Sequence, residues 1–124
     1  MTLTGAQLVE LLESQWSRVD SLRVRFLQPS RGFSYAWSAS TKVGGRIIRD
    51  SLRLDGQPIR PGDALRITVN SYLAEGGDGF RTFRTGRDVI GGPLDVDAFV
   101  AFIQISSANA PLTPVHAPRI ERRD

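Results

Sequence analysis

The stretch from Asn70 to Phe80 reads NSYLAEGGDGF and is the most informative part of the sequence. It follows the clearest strand pattern in the chain, in which apolar and polar residues alternate from Leu65 to Val69. Three glycines surround Asp78, and glycine lets a backbone adopt positive φ angles and approach a ligand closely. We therefore expect a loop whose acidic side chain can accept hydrogen bonds from sugar hydroxyls. The alternative is a tight connection in which Asp78 caps its own backbone.

A first helix is predicted near the start of the chain. Thr4 and Gln7 have the spacing of a capping box, and an apolar face at helical spacing follows them. The polar residues Glu10, Glu13 and Gln15 are expected to face water. The apolar face consists of Leu8, Leu11, Leu12 and Trp16.

Period-two alternation of apolar and polar residues is typical of half-buried strands. Two turn signals separate the later strands. Asp55-Gly56 predicts a two-residue hairpin, and Arg60-Pro61-Gly62-Asp63 has the residue order of a type II turn. The strands are predicted over residues 22–26, 33–37, 46–54 and 65–69.

The end of the chain predicts a second helix and an extended tail. Asp95 can cap this helix, and residues 109–124 carry three prolines and are expected to pack over the body. The apolar face of the helix consists of Val96, Phe99, Val100 and Ile103. The whole pattern predicts one α+β domain over residues 1–124, with a mixed or mainly antiparallel sheet packed against an N-terminal and a C-terminal helix.

Composition narrows the possible chemistry. The 124 residues contain no cysteine, which excludes disulfides, thiol nucleophiles and cysteine-ligated zinc. His116 is the one histidine, so a mechanism needing two histidines within the chain is excluded. We predict no membrane span, because no apolar run approaches about 20 residues, and no export signal is visible in the first residues.

The stretch from Asn70 to Phe80 closely resembles the signature of the C-terminal domain of the 5′-nucleotidase family, roughly Asn-x-aromatic-Leu-Ala-x-Gly-Gly-Asp-Gly-aromatic. This family includes UDP-sugar hydrolases and 2′,3′-cyclic nucleotide phosphodiesterases. Weaker matches extend over almost the whole chain. They are the helix start at residues 4–8, the segment Phe26-Leu27-Gln28, the two turns, and Pro118-Arg119-Ile120, in which Pro118 replaces the family's glycine.

The resemblance implies a nucleotide-recognition domain in which two aromatic rings hold the base. These rings correspond to Phe26 and Tyr72, and stacking of a base on an aromatic ring tolerates different bases. The ribose-binding carboxylate corresponds to Asp78, and Gln28 is placed to contact the base edge. Gly76 and Gly77 complete the candidate substrate-binding set. From the residues alone, Phe26 is instead predicted to be a core aromatic, because it shares a face with Leu22 and Val24, and Tyr72 to be an exposed ring at the edge of the sheet.

The same resemblance implies that catalysis takes place outside this chain. In the family, two divalent metal ions are held by Asp, His and Asn residues of an N-terminal metallophosphoesterase domain, and such metals activate water. The chain has no such cluster, so we predict no catalytic residue and no cofactor of its own. The expected partners are a nucleotide or nucleoside and the catalytic domain of the same polypeptide. The resemblance implies a periplasmic, secreted or cell-surface parent protein.

Basic residues suggest a different function. The net charge is +3, and fifteen of the sixteen basic residues are arginine. A strip of these could make a module that binds single-stranded nucleic acid. Asp50 interrupts the strip, so we predict no nucleic-acid partner and keep this module as an alternative, beside a structural domain without a ligand. The strip consists of Arg23, Arg25, Arg46, Arg49 and Arg53.

Overall fold

The computed structural model describes residues 1–16, 24–108, 110–113 and 118–124. Three helices and six strands occur in these ranges, and short 3-10 turns link some of them. The helices are α1 (Gly5–Glu13), α2 (Ser71–Ala74) and α3 (Asp95–Ser106). The strands are β1 (Thr2–Thr4), β2 (Phe33–Trp37), β3 (Ile47–Leu54), β4 (Gln57–Pro58), β5 (Ala64–Arg66) and β6 (Ile120–Arg122).

Helix α1 begins with the predicted capping box. Thr4 Oγ1 accepts a hydrogen bond from Gln7 N at 3.2 Å, and Gln7 Oε1 accepts one from Thr4 N at 2.7 Å. These two bonds satisfy amide groups that a helix start leaves without a partner. The predicted apolar face of α1 is buried, as expected.

The prediction that the polar residues around the end of α1 face water is only partly right. Glu10 is exposed, but Gln15 is buried, and Glu13 Oε1 accepts a hydrogen bond from Ile47 N at 2.6 Å. The reason is local geometry, because a tight 3-10 turn over Ser14–Trp16 follows α1 and changes the direction of its side chains.

A mixed four-stranded sheet with the order β4-β3-β2-β6 forms one side of the fold. Its inner pair is antiparallel, with Trp37 opposite Ile47, whereas β6 runs parallel to β2 with Ile120 opposite Tyr35. Of the predicted tail, residues 120–122 pack on the body, and they do so as strand β6. Residues 109 and 114–117 of the tail lie outside the described ranges. The α+β class with a mixed sheet is confirmed.

The two predicted turns have different outcomes. The β3–β4 hairpin is confirmed, since Asp55 and Gly56 adopt φ angles of 49° and 80°, and positive values at both positions are typical of a type I′ turn. A turn also forms at Arg60–Asp63, where Asp63 N donates to the Arg60 carbonyl at 3.1 Å. It is not of type II, because Gly62 does not have the positive φ angle that such a turn requires.

A second, two-stranded sheet joins β1 to β5 in antiparallel order. The predicted strand over 65–69 is shorter than expected, because β5 ends at Arg66 and Asn70 already caps α2. The predicted strand over 22–26 is not seen at residues 24–26, and residues 22 and 23 lie outside the described ranges. The described part of the segment does not join a strand. Directly after it, Leu27 N donates a hydrogen bond to Oε1 of Gln15.

One core unites α1 with both sheets, and its most deeply buried side chains are Leu3 and Leu52.

Helix α3 forms as predicted, although Asp95 is its first residue and not its cap. The sequence predicts that this helix packs on the sheet, but none of its residues is buried. Its apolar side chains surround the helix, since Ile105 lies on the side opposite Val96. Within the described residues, no helix is long and apolar enough to cross a membrane.

Candidate functional site

The stretch from Asn70 to Phe80 folds as one turn of helix followed by a tight loop. Asn70 Oδ1 accepts a hydrogen bond from Leu73 N at 2.9 Å and thereby caps α2. After α2 the backbone adopts positive φ angles at Gly76 (84°), Asp78 (54°) and Gly79 (85°). For a residue other than glycine such an angle costs energy, and such angles cluster at functional sites. Asp55 and Asp88 also have positive φ angles, so Asp78 becomes a candidate through its contacts and not through its backbone angle alone.

Tyr72 lies directly against this loop. A Cβ atom placed on Gly77 would come within 2.5 Å of the Tyr72 ring, so the bare Gly77 backbone covers one side of the ring. The hydroxyl of Tyr72 accepts a hydrogen bond from Asp78 N and donates one to Asp78 Oδ1, both at 3.1 Å. The side chain remains 57% exposed. The exposure predicted for Tyr72 is confirmed, and the ring offers an accessible surface to a planar ligand.

The carboxylate of Asp78 is held by side chains from two directions. Its Oδ1 atom accepts hydrogen bonds from Tyr72 and from Nη1 of Arg25, which forms an ion pair with it. These contacts do not support the alternative in which the Asp78 side chain caps its own backbone. About a third of the side chain stays accessible to solvent, at 31%.

Phe26 belongs to a cluster of three aromatic rings. Its ring centroid lies 5.7 Å from that of Trp16, edge to face, and 5.4 Å from that of Trp37. Phe26 is half-buried, so it contacts the core and still reaches the surface. The guanidinium groups of Arg46 and Arg122 lie over Trp16 and Trp37 respectively, each at 5.6 Å from the ring centroid.

Gln28 is exposed and lies close to its own backbone. Its Nε2 donates to the Phe26 carbonyl at 3.4 Å, a weak bond that leaves the amide available. Gln28 also borders an apolar cavity of about 520 Å³ together with Leu27, Val69 and Leu73. Phe26, Tyr72 and Asp78 do not line this cavity. We centre the candidate site on Phe26, Tyr72 and Asp78, because these residues supply its aromatic and acidic groups.

Gln15 supports the site, although the sequence predicts that it faces water. Its Nε2 donates to the Leu12 carbonyl at 2.9 Å and to the Tyr35 hydroxyl at 3.2 Å, and its Oε1 accepts from Leu27 N at 2.8 Å. It thus anchors the segment that carries Phe26. Burial raises the pKa of the Tyr35 hydroxyl, and the hydrogen bond with Gln15 opposes this rise. No sequence signal marks Gln15, because its inward direction depends on the turn after α1.

Two further groups, the possible metal ligands and the basic strip, can be followed only through the described residues. In the part of the chain that the structure describes, no three His, Cys, Asp or Glu residues cluster to hold a metal ion. His116 and Arg23 lie outside the described ranges. Of the remaining strip, Arg25 pairs with Asp78, Arg46 lies over Trp16, and Arg53 donates to backbone carbonyls.

Comparison with known proteins identifies the family. Residues 1–85 match the family described as 5′-nucleotidase, C-terminal domain. The chain belongs to this family. The match contains α1, the aromatic cluster and the loop from Gly76 to Gly79, so it covers every candidate site residue. Helix α3 and β6 lie beyond it.

Individual relatives agree with this result. The chain is 32% identical over 84 residues to the trifunctional nucleotide phosphoesterase protein YfkN of Bacillus subtilis, covering 65% of this chain and 6% of that protein. It is 28% identical over 107 residues to the cell wall protein Lmo0130 of Listeria monocytogenes, covering 86% of this chain and 13% of that one. The crystal structure of a 5′-nucleotidase precursor from Thermus thermophilus superposes with a TM-score of 0.79 at 27% identity, covering 98% of this chain and 24% of that one. The chain thus spans a quarter or less of each relative's length.

Proposed function

We propose that this chain is the nucleotide-recognition domain of a phosphate-ester hydrolase of the 5′-nucleotidase family. In this proposal the base stacks between Phe26 and Tyr72, Asp78 accepts hydrogen bonds from the ribose hydroxyls, and Gln28 contacts the base edge. Gly76 and Gly77 shape the loop on which Tyr72 and Asp78 lie. The chain itself performs no bond cleavage.

The observation that carries the proposal is the pairing of an open aromatic ring with a held carboxylate. The Tyr72 hydroxyl and Asp78 exchange two hydrogen bonds of 3.1 Å, which fixes the ring and the acid relative to each other. A nucleoside presents a flat base beside a sugar with hydroxyl donors, and the fixed pair offers one partner for each. Stacking on one ring contributes about 1–3 kcal/mol per base.

The two tryptophans beside Phe26 make a direct fluorescence assay of binding possible. Trp16 and Trp37 are the two tryptophans of the chain, and both contact the Phe26 ring. A base that stacks on Phe26 is therefore expected to change tryptophan fluorescence. Titration with adenosine or AMP, followed in parallel by amide NMR shifts, tests the site. Absence of shifts at Phe26, Tyr72 and Asp78 at the solubility limit of both ligands would contradict the proposal.

Matched variants separate the site from the rest of the surface. Tyr72→Ala is expected to weaken adenosine binding about tenfold, since it removes one stacking partner. Its control is Phe102→Ala on α3, because Phe102 has the same 57% exposure and lies on no site element. Asp78→Asn is expected to weaken ribose recognition, and Asp88→Asn is its control because Asp88 also has a positive φ angle, of 49°.

We further propose that the partner of this domain is the remainder of a longer polypeptide that holds two divalent metal ions and performs the hydrolysis. The relatives are at least four times as long as the matched chain, which supports this view. Exposed apolar side chains on α3 support it too, because soluble monomers rarely expose large apolar patches. The names of a cell wall protein and of a precursor among the relatives favour a secreted or surface location.

Binding of single-stranded nucleic acid has less support. Three arginines of the basic strip already contact Asp78, Trp16 or backbone carbonyls. A nucleic-acid module would show a steep loss of oligonucleotide affinity with rising salt. Failure to bind an oligonucleotide at low salt, together with a response to adenosine, would remove this alternative.

A further inference from the structure

One ion pair crosses the candidate site, and neither the family match nor the proposed function assigns it a role. Arg25 Nη1 donates to Asp78 Oδ1, across 53 positions of sequence. Arg25 directly precedes Phe26, and Asp78 is bonded to Tyr72 through the same oxygen. The pair therefore joins the two walls of the site, the segment with Phe26 and Gln28 and the loop with Tyr72 and Asp78.

Other contacts hold each wall separately. The Phe26 segment is anchored to the core where Leu27 N donates to Gln15 at 2.8 Å. The opposite wall is held by the two hydrogen bonds between Tyr72 and Asp78. Among the described residues, the Arg25–Asp78 pair is the one hydrogen bond that runs from residues 24–28 to residues 76–79. It is thus placed to set the distance between the Phe26 and Tyr72 rings.

We propose that Arg25 is a positioning residue that closes the nucleoside site by holding Asp78. This inference rests on the proposed function. An ionised carboxylate has about four lone-pair positions, two on each oxygen. Arg25 and Tyr72 together use Oδ1, which leaves Oδ2 as the acceptor for a ribose hydroxyl. Arg25 thus supports ligand binding without touching the base.

The exposure of the pair determines how it can be tested. The side chains of Arg25 and Asp78 are 60% and 31% exposed, and exposed ion pairs are weak and screened by salt. Adenosine carries no charge at neutral pH, so salt has no ion pair between ligand and protein to screen. A salt dependence of adenosine binding that disappears when Arg25 is replaced would report on this pair.

The experiment measures adenosine affinity, by tryptophan fluorescence and calorimetry, at low salt and at about 0.5 M salt. At low salt Arg25→Met is expected to bind up to about fivefold more weakly than the wild type. Its affinity is expected to be insensitive to salt, whereas the wild-type affinity falls toward that of Arg25→Met at high salt. Arg25→Lys keeps a charge and is expected to recover part of the affinity and of the salt dependence.

Arg49→Met is the control, since Arg49 is an exposed arginine on β3, and it should behave as the wild type. Equal affinities of the wild type and Arg25→Met would overturn the positioning role. Tighter binding by Arg25→Met, with a wild-type affinity that rises with salt, would also overturn it and show that Arg25 competes with ribose for Asp78. If the wild type binds no adenosine at all, the proposed function fails, and the role of Arg25 fails with it.

Discussion

Leu52 on β3 and Phe102 on α3 are both large apolar residues of regular elements, yet Leu52 is 1% exposed and Phe102 is 57% exposed. The contrast extends to the regions around them. Among the residues that the structure describes, every buried side chain lies within residues 1–85, which match the family, whereas the described part of residues 89–112 contains nine exposed large apolar side chains. The first region is stabilised by its own packing. The second region has helical structure without packing of its own.

The two regions also differ in how their helices begin. Helix α1 has a complete capping box at Thr4 and Gln7, whereas Leu94 precedes α3 and gives it no side-chain cap. A helix end without a cap leaves amide groups to water. Global stability should therefore depend on substitutions in the first region and hardly at all on matched substitutions in α3.

The largest expected difference concerns apolar truncation. Leu52→Ala should lower the free energy of unfolding by about 2–5 kcal/mol, because it creates a cavity in a packed core. Phe102→Ala should change it by less than about 0.5 kcal/mol, as exposed substitutions usually do. Urea denaturation measures both. A loss of more than about 1.5 kcal/mol for Phe102→Ala, on the same order as the core variant, would show that α3 packs in solution.

Buried polar contacts give the next difference. Gln15→Leu leaves the Tyr35 hydroxyl and Leu27 N without their partner, and each such group costs about 1–3 kcal/mol when it stays buried. We expect a net loss of about 2 kcal/mol, with weaker adenosine binding because the Phe26 segment loses its anchor. Gln104→Leu on the exposed surface of α3 is the control. Equal unfolding midpoints for the two variants would refute the anchoring role.

Capping should have a smaller effect. Thr4→Ala removes the side chain that accepts from Gln7 N and should cost about 1 kcal/mol of global stability. Leu94→Ser adds a potential cap to α3 and should slow amide exchange in its first turn without raising the urea midpoint. If Leu94→Ser does raise that midpoint, α3 unfolds together with the first region and the contrast between the regions disappears.

The smallest effect is a pH dependence within the first region. The pKa of Tyr35 is raised in the folded state, so folding favours the protonated hydroxyl. This contribution is complete below the unfolded pKa of about 10 and is lost as the pH rises through the folded value. Tyr35→Phe should therefore show a flatter decline of stability above about pH 10 than the wild type. Parallel declines for the two proteins in alkaline urea titrations would argue against this assignment.

Local signals made much of the fold predictable. The capping box at Thr4 and the Asp55-Gly56 hairpin depend on residues a few positions apart, and both form as expected. The inward direction of Gln15 depends on a turn that has no sequence signature. Strand β6 was predicted only as an extended segment, because its partner β2 is far away in sequence.

The contacts of the candidate site also divide into local ones, which the sequence predicts, and distant ones, which it does not. Tyr72, Gly77 and Asp78 lie within seven consecutive residues, so their proximity follows from the sequence signature. The contact between Arg25 and Asp78 joins distant parts of the chain, and nothing in the sequence marks Arg25, among the arginines of the basic strip, as the partner of Asp78. Pairings of this kind are decided by the tertiary fold.

The parallel pairing of β2 with β6 has a consequence for biosynthesis. Ile120 lies opposite Tyr35, which is 85 positions earlier in the chain, so β2 gains its second neighbour only after the residues between them have left the ribosome. Until then, the free edge of β2 exposes unpaired amide and carbonyl groups, which is the kind of edge that promotes association between chains. Contacts so distant in sequence also form slowly. We therefore expect the nascent chain to depend most on chaperones just before β6 emerges.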